Sequence, residues 1–332
     1  MTTTWHGGVV TPRLHVVTGK GGTGKTTVAA ALAVALAREG GRVLLVEVEE
    51  RQGISQIMDV PPLGTTEEPV GVGLDGGEVV GLSVEAGASL VEYLRMFYKL
   101  GRAGDLLQRI GAIEFATTIA PGLRDVLLGG KVYEAVERRT GRRGAGAHTY
   151  DAVVLDAPPT GRVNRFLNVT DHLADLARVG PIRRQSDSVS DLLHSPATVV
   201  HVVTLLEQLP VQETADAVAE LEGSGLRLGA VVVNQVRSVD AAAELAEGPA
   251  PDPHRIAEHL DQVGIRPGPG TLDGLVTTGV EAVERYRLEQ DLRAEVVAIG
   301  RPVIELEHLS EGVGPDAVRR LAWDLRNQEV QS

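Results

Sequence analysis

Residues 19–27 read GKGGTGKTT; the apolar run LHVVT (14–18) precedes them and VAAALAVALA (28–37) follows. Strand, glycine-rich loop and helix, in that order, are what triphosphate binding demands. Gly21, Gly22 and Gly24, with Thr23 between them, leave the backbone free to turn and to bring its N–H groups up to phosphate oxygens. Lys25 reaches the outer phosphates and the Thr26 hydroxyl is a ligand for Mg²⁺. The helix opening at Thr26 and Thr27 turns the positive end of its dipole toward the same anion. Only four lysines occur in the chain, Lys20, Lys25, Lys99 and Lys131, so two of them inside one nine-residue loop are not surface filler.

Working outward, Val- and Leu-rich runs occupy 14–18, 43–48, 79–84, 152–155, 199–204, 230–233 and 302–306. Runs that are apolar on both faces suit a parallel sheet buried between helical layers. Helical patterns lie between them at 27–39, 89–100, 122–140, 171–177, 212–222 and 316–327. The alternation predicts an α/β fold with a doubly wound, mostly parallel sheet, of the phosphate-loop NTPase type. We expect a loose tail at 1–12 and one phosphate-loop NTPase domain over 13–332. A helical insertion at about 86–148 and a further helical segment at about 171–197 are expected within it. The polar stretch 183–190 reads as a loop. Leu90, Leu94, Phe97 and Tyr98, then Leu106, Leu107 and Ile110, recur at helical spacing, as core or as a client groove.

The strand at 152–155 ends in Asp156 and then APPTG, a carboxylate followed by a proline–glycine turn. Asp156 is a candidate to hold a Mg²⁺-bound water, and Pro158–Arg162, with Gly161 inside it, a candidate switch. The formal charge of −13 opposes a nucleic-acid partner, which needs a basic face. The absence of cysteine excludes disulfides, thiolate metal sites and Fe–S clusters. The first residues have no signal-peptide pattern and the longest apolar run, 28–37, is too short to span a bilayer, so a cytoplasmic protein is expected.

GKGGTGKTT together with DAPPTGRVNRFL (156–167) resembles the anion-transporting ATPase family, which includes the arsenite-pump ATPase and the GET-pathway targeting ATPase. The likeness extends through VVTLLEQLPVQETADAV, VVVNQV and PVIELEHL, across nearly the whole chain. The resemblance implies a Mg²⁺-dependent ATPase, dimeric with itself or with a paralogous subunit, that couples ATP occupancy to a membrane-protein or transport partner. It places Lys20 at the signature lysine of the deviant phosphate loop, a side chain that crosses the dimer interface to the partner's nucleotide. It also implies that Asn234 hydrogen-bonds the adenine edge.

The family's first switch carries an aspartate that orients the attacking water; here the segment reads VEVEERQG (46–53) and Glu49 takes that place, with Glu47 in reserve. Glutamate is one methylene longer, and misplacing such a group by about 1 Å costs on the order of 10²-fold in rate, so hydrolysis is expected to be slow. Were these glutamates only solvated surface, the chain would be a non-hydrolysing nucleotide-binding subunit. The zinc and arsenite cysteines of the family are missing, so neither metal function carries over. With three methionines, a groove for varied transmembrane helices has little flexible lining to draw on.

Overall fold

Strands that are apolar on both faces must be covered on both, and the chain meets this with one eight-stranded sheet between two helical layers. A computed structural model describes residues 11–48, 52–85, 121–140, 146–167, 181–237, 240–248, 252–268 and 270–331. The strands are β1 (Leu14–Gly19), β2 (Arg42–Glu47), β3 (Glu68–Val72), β4 (Glu78–Ser83), β5 (Ala152–Asp156), β6 (Thr198–Thr204), β7 (Leu228–Val236) and β8 (Val303–Glu307). Their order is β3-β4-β2-β5-β1-β6-β7-β8, and every neighbouring pair is parallel except β3 with β4. From β1 the chain winds out to β2 and β4, returns to β5, and then crosses β1 to reach β6. The carboxyl ends of β1, β2, β5 and β6 therefore border the crevice where such sheets take ligands.

The described helices are α1 (Lys25–Leu36), α2 (Gly53–Met58), α3 (Pro121–Glu137), α4 (Thr160–Leu167), α5 (Pro181–Leu193), α6 (Gln208–Gly223), α7 (Asp240–Glu247), α8 (Pro253–Gln262), α9 (Thr271–Ala298) and α10 (Pro315–Gln331). On one face of the sheet, α1 and α10 close the core together with Ile54 and Met58 of α2. Alanine at positions 29, 30, 31, 33 and 35 gives α1 a thin body that is buried between sheet and α10. The other face carries Leu128 and Val132 of α3, Phe166 of α4, Leu192 of α5 and Leu221 of α6.

Seven strands lie where the apolar runs placed them; α2, α4, α7 and α8 fall outside the expected helical patterns, and β3, α5 and α9 differ for identifiable reasons. β3, with the sequence EPVGV, was not expected, because Pro69 and Gly71 disfavour a central strand. It is the antiparallel edge strand, and its register shifts between those two residues. The stretch 183–190 is not a loop but the body of α5: Arg183 Nε donates to Asp187 Oδ1 at 2.9 Å one turn on, and Val189 and Leu193 are buried. The 28-residue α9 escaped notice because only Val283, Leu292 and Val296 of it are buried, too sparse for an apolar stripe. The segments 89–100 and 171–177, and the stripe from Leu90 to Ile110, lie outside the described residues. Among the described residues no helix is long and apolar enough to cross a membrane.

Polar side chains finish the sheet at two places, one beyond the edge strand β8 and one near the amino end of the central strand β5. Beyond β8, the Gln328 carboxamide of α10 accepts from Glu305 N–H at 3.0 Å and donates to Glu305 C=O at 2.7 Å. Near the amino end of β5, the fully buried Tyr150 donates its hydroxyl to Glu67 Oε2 at 2.6 Å, and Arg138 Nη1 donates to Glu67 Oε1 at 2.5 Å. The guanidinium of Arg42 lies 5.4 Å from the Tyr150 ring centroid, that of Arg138 5.8 Å. Burial pushes the Glu67 carboxyl up, but the hydrogen bonds from Tyr150 and Arg138 outweigh it and hold the group below its ordinary value.

A depressed carboxyl contributes stability that is present above its unfolded value, 4.5 for Glu67, and is lost as pH falls through the folded value. Tyr150→Phe removes one hydrogen bond to this charged group and should lower the unfolding free energy by about 1.5–3 kcal/mol at neutral pH. Urea unfolding at a series of pH values should show the gap narrowing as Glu67 protonates. A gap that stays constant down to the acid transition would remove Glu67 as its cause.

Candidate functional site

All six residues of β1 are buried, and the strand delivers its last residue, Gly19, into contact with the neighbouring β6. A Cβ on Gly19 would strike the carbonyl oxygen of Val203. Five residues on, Gly24 has φ 86° and serves as the N-cap of α1, with no side chain capping the helix. The first-turn N–H groups of α1 therefore open toward the loop, the arrangement that receives an anion.

The loop is folded around one carbonyl. Lys20 O accepts from Thr23 Oγ1 at 2.9 Å and from the Lys25 ammonium at 3.4 Å. The Lys25 side chain is thus laid back along the loop, and the residue is 8% exposed. On the far side, Asn234, two residues before the end of β7, donates from Nδ2 to Thr23 O at 2.9 Å. The same nitrogen stands where a Cβ on Gly24 would go, so Asn234 is a clamp on the loop. Gly21 and Gly22 are exposed, with open space where their side chains would be.

Three oxygen-bearing side chains meet at the start of α1. Thr26 Oγ1 donates to Asp156 Oδ2 at 2.7 Å. Glu47 stands beside Asp156 in the register of β2 and β5, and Glu47 Oε1 accepts from Gly53 N–H at 2.9 Å. A Cβ on Gly53 would lie 3.5 Å from both Glu47 Oε1 and Thr26 Oγ1, which places α2, β2 and the phosphate loop around one small volume. Hydroxyl and carboxylate oxygens are the hard donors that suit Mg²⁺, so the residues present fit that ion.

After Asp156 the turn is tied down at its base: Ala157 N donates to Val17 O at 3.0 Å and the buried Thr18 Oγ1 donates to Pro158 O at 2.7 Å. Beyond these ties, Gly161 has no atom within 4 Å of where a Cβ would stand. The segment 158–162 is not turn throughout, since α4 already begins at Thr160.

The sequence-derived candidates Lys20, Gly21, Gly22, Thr23, Gly24, Lys25, Thr26, Thr27, Asp156 and Asn234 are thus brought to one end of the sheet. Glu49 lies outside the described residues; Glu47 is described, 2% exposed and beside Asp156. Lys20 Nζ donates to Glu213 Oε1 of α6 at 2.9 Å. Thr18 and Glu213 shape the site without having been singled out, and neither carries a local signal, because their partners lie 140 and 193 residues away.

The chain is similar to known proteins along its sequence. The family model for anion-transporting ATPases matches residues 12–196. ATPase BagA of Mycobacterium tuberculosis is 46% identical over 325 residues, covering 96% of this chain and 94% of that protein. ATPase GET3 of Kluyveromyces lactis is 26% identical over 267 residues, 68% of this chain and 72% of that protein. With the fold, the phosphate loop and these matches in agreement, the chain belongs to the anion-transporting ATPase family.

Proposed function

We propose that this protein is a cytoplasmic, Mg²⁺-dependent ATPase that closes as a dimer around ATP and couples occupancy to a client or transport partner. The observation that carries the reading is the 2.7 Å contact between Thr26 Oγ1 and Asp156 Oδ2 at the uncapped start of α1, beside Lys25. A hydroxyl from the loop and a carboxylate from a neighbouring strand end, set next to a lysine and open N–H groups, form the donor set of a phosphoryl-transfer site. We assign ATP as the nucleotide from the family, since both relatives are named as ATPases.

In this reading the first-turn N–H groups of α1 and the Lys25 ammonium bind the β- and γ-phosphates. Thr26, and Asp156 through water, would hold Mg²⁺, which when bound would supply positive charge opposite the phosphate oxygens. Glu49 orients the attacking water, with Glu47 as its reserve; the buried place of Glu47 beside Asp156 supports that second role. Lys20 supplies a cation to the nucleotide of the second subunit. Asn234 reaches the adenine edge while its Nδ2 keeps the loop in place. Residues 13–332 act as one ATPase unit with a helical insertion at about 86–148. The dimer is of like chains or of this chain with a paralogous ATPase.

Lys25→Ala removes the charge that meets the outer phosphates, and ATP affinity measured by calorimetry should fall on the order of 100-fold, with circular dichroism unchanged. Undiminished affinity would sink the phosphate-site assignment.

Glu49→Gln keeps size while removing charge, and should slow hydrolysis at least about tenfold with ATP affinity retained. Glu49→Asp tests whether the extra methylene detunes the site: a faster enzyme is expected if it does. Equal rates in both variants and in Glu47→Gln would instead favour a nucleotide-binding subunit whose catalytic power resides in a paralogous partner.

A further inference from the structure

Of the described lysines, Lys131 pairs with Glu134 one turn away in its own helix, whereas the partner of Lys20 comes from a distant element. Glu213 is presented by a helix that is fixed in place. α6 buries Val211, Thr214, Val218 and Leu221 beneath it. Two turns beyond Glu213, Asn164 Nδ2 of α4 donates to Glu220 Oε1 at 2.5 Å, and Ser224 Oγ donates to Asn164 Oδ1 at 3.0 Å. Positions 213, 220 and 224 recur at i, i+7 and i+11, one face of a helix. The face that holds Lys20 is thus the face fastened to the helix after the switch turn.

We propose that Glu213 is the positioning residue for Lys20: it docks the ammonium on α6 and releases it to nucleotide phosphate when two subunits close. This rests on the dimeric ATPase reading above. The side chains of the pair are 30% and 37% exposed. An ion pair at that exposure is worth about two- to fivefold in an equilibrium constant. A charge-assisted hydrogen bond to phosphate in a closed interface is worth about tenfold to a hundredfold. The dock therefore sets where Lys20 rests and loses it to phosphate. A lysine held in one place between turnovers also leaves the phosphate loop without a wandering cation that would attract unrelated anions.

The test uses the full chain with a non-hydrolysable ATP analogue and Mg²⁺. Light scattering across protein concentrations reads association, and calorimetry on dilute protein reads affinity for the analogue. Glu213→Gln should lower the concentration for half-association two- to fivefold, by an amount that shrinks with added salt, and leave affinity in the dilute protein unchanged. Glu213→Asp should stay near the wild type, which a purely structural role for the longer side chain would not allow. In a Lys20→Ala background the gain should vanish. If the wild type never associates and the Lys20-dependent gain is found instead in the dilute protein's affinity, the dimer reading fails while the docking role of Glu213 stands. A Glu213→Gln variant silent in both measurements, or a gain that survives Lys20→Ala, overturns the proposal. A chain that binds no analogue at all overturns both.

Discussion

Backbone of β6 and a side chain of β7 press on the loop between β1 and α1 so closely that no Cβ fits at Gly19 or Gly24. This double squeeze is the constraint on which the remaining arrangement depends. Because Gly19 lies against Val203 and Gly24 against Asn234, the loop cannot drift away from the sheet, and the first turn of α1 is aimed from a fixed point. A parallel sheet is the right frame for this. Its neighbouring strands point their carboxyl ends the same way, so β2, β5, β6 and β7 each bring a residue at or near that end, Glu47, Asp156, Val203 and Asn234, to the loop or the start of α1.

The acidic chain solves an electrostatic problem locally. Glu47 and Asp156 are adjacent and mostly buried, a like-charge pairing that is unfavourable in isolation. The surroundings oppose it: the Gly53 N–H donates to Glu47 and the Thr26 hydroxyl to Asp156. Carboxylate and hydroxyl oxygens grouped in this way are the hard donors that suit a divalent cation such as Mg²⁺. The overall charge of −13 then belongs to the surface and says little about the interior of the site.

The central strands and the phosphate loop were legible because each is fixed by its own few residues: apolar runs by burial on both faces, GKGGTGKTT by the glycines a tight turn requires. What escaped notice depends on neighbours. β3 contains the two residues that argue most against a strand and exists because β4 offers an edge where a proline does no harm. α5 is polar along the side that faces water, and its i, i+4 pair reads as loop composition unless the buried positions between are counted. Asp252-Pro253 marks the start of α8, with Asp252 accepting from His254 N at 3.1 Å, but Gly248, Pro249 and Pro251 just before it are loop formers that mask the signal. At the site, Asp156 was legible as a strand-end carboxylate. The grip of Asn234 on Thr23 and of Thr18 on Pro158 was not, because long-range pairs leave no trace in either local segment.

The carboxamide of Gln328 imitates a peptide unit. By offering one acceptor and one donor to Glu305, it stands where the next strand of the sheet would otherwise bind. Another copy of the chain approaching this margin would have to evict a side chain already tethered to its own helix before it could form a ladder. The opposite margin is spoiled by the proline and irregular register of β3. Self-recognition by extending the sheet from one molecule into the next is thus obstructed on both flanks. Any association of two molecules is left to surfaces built from helices and loops, where contacts can be made and broken without unravelling a strand.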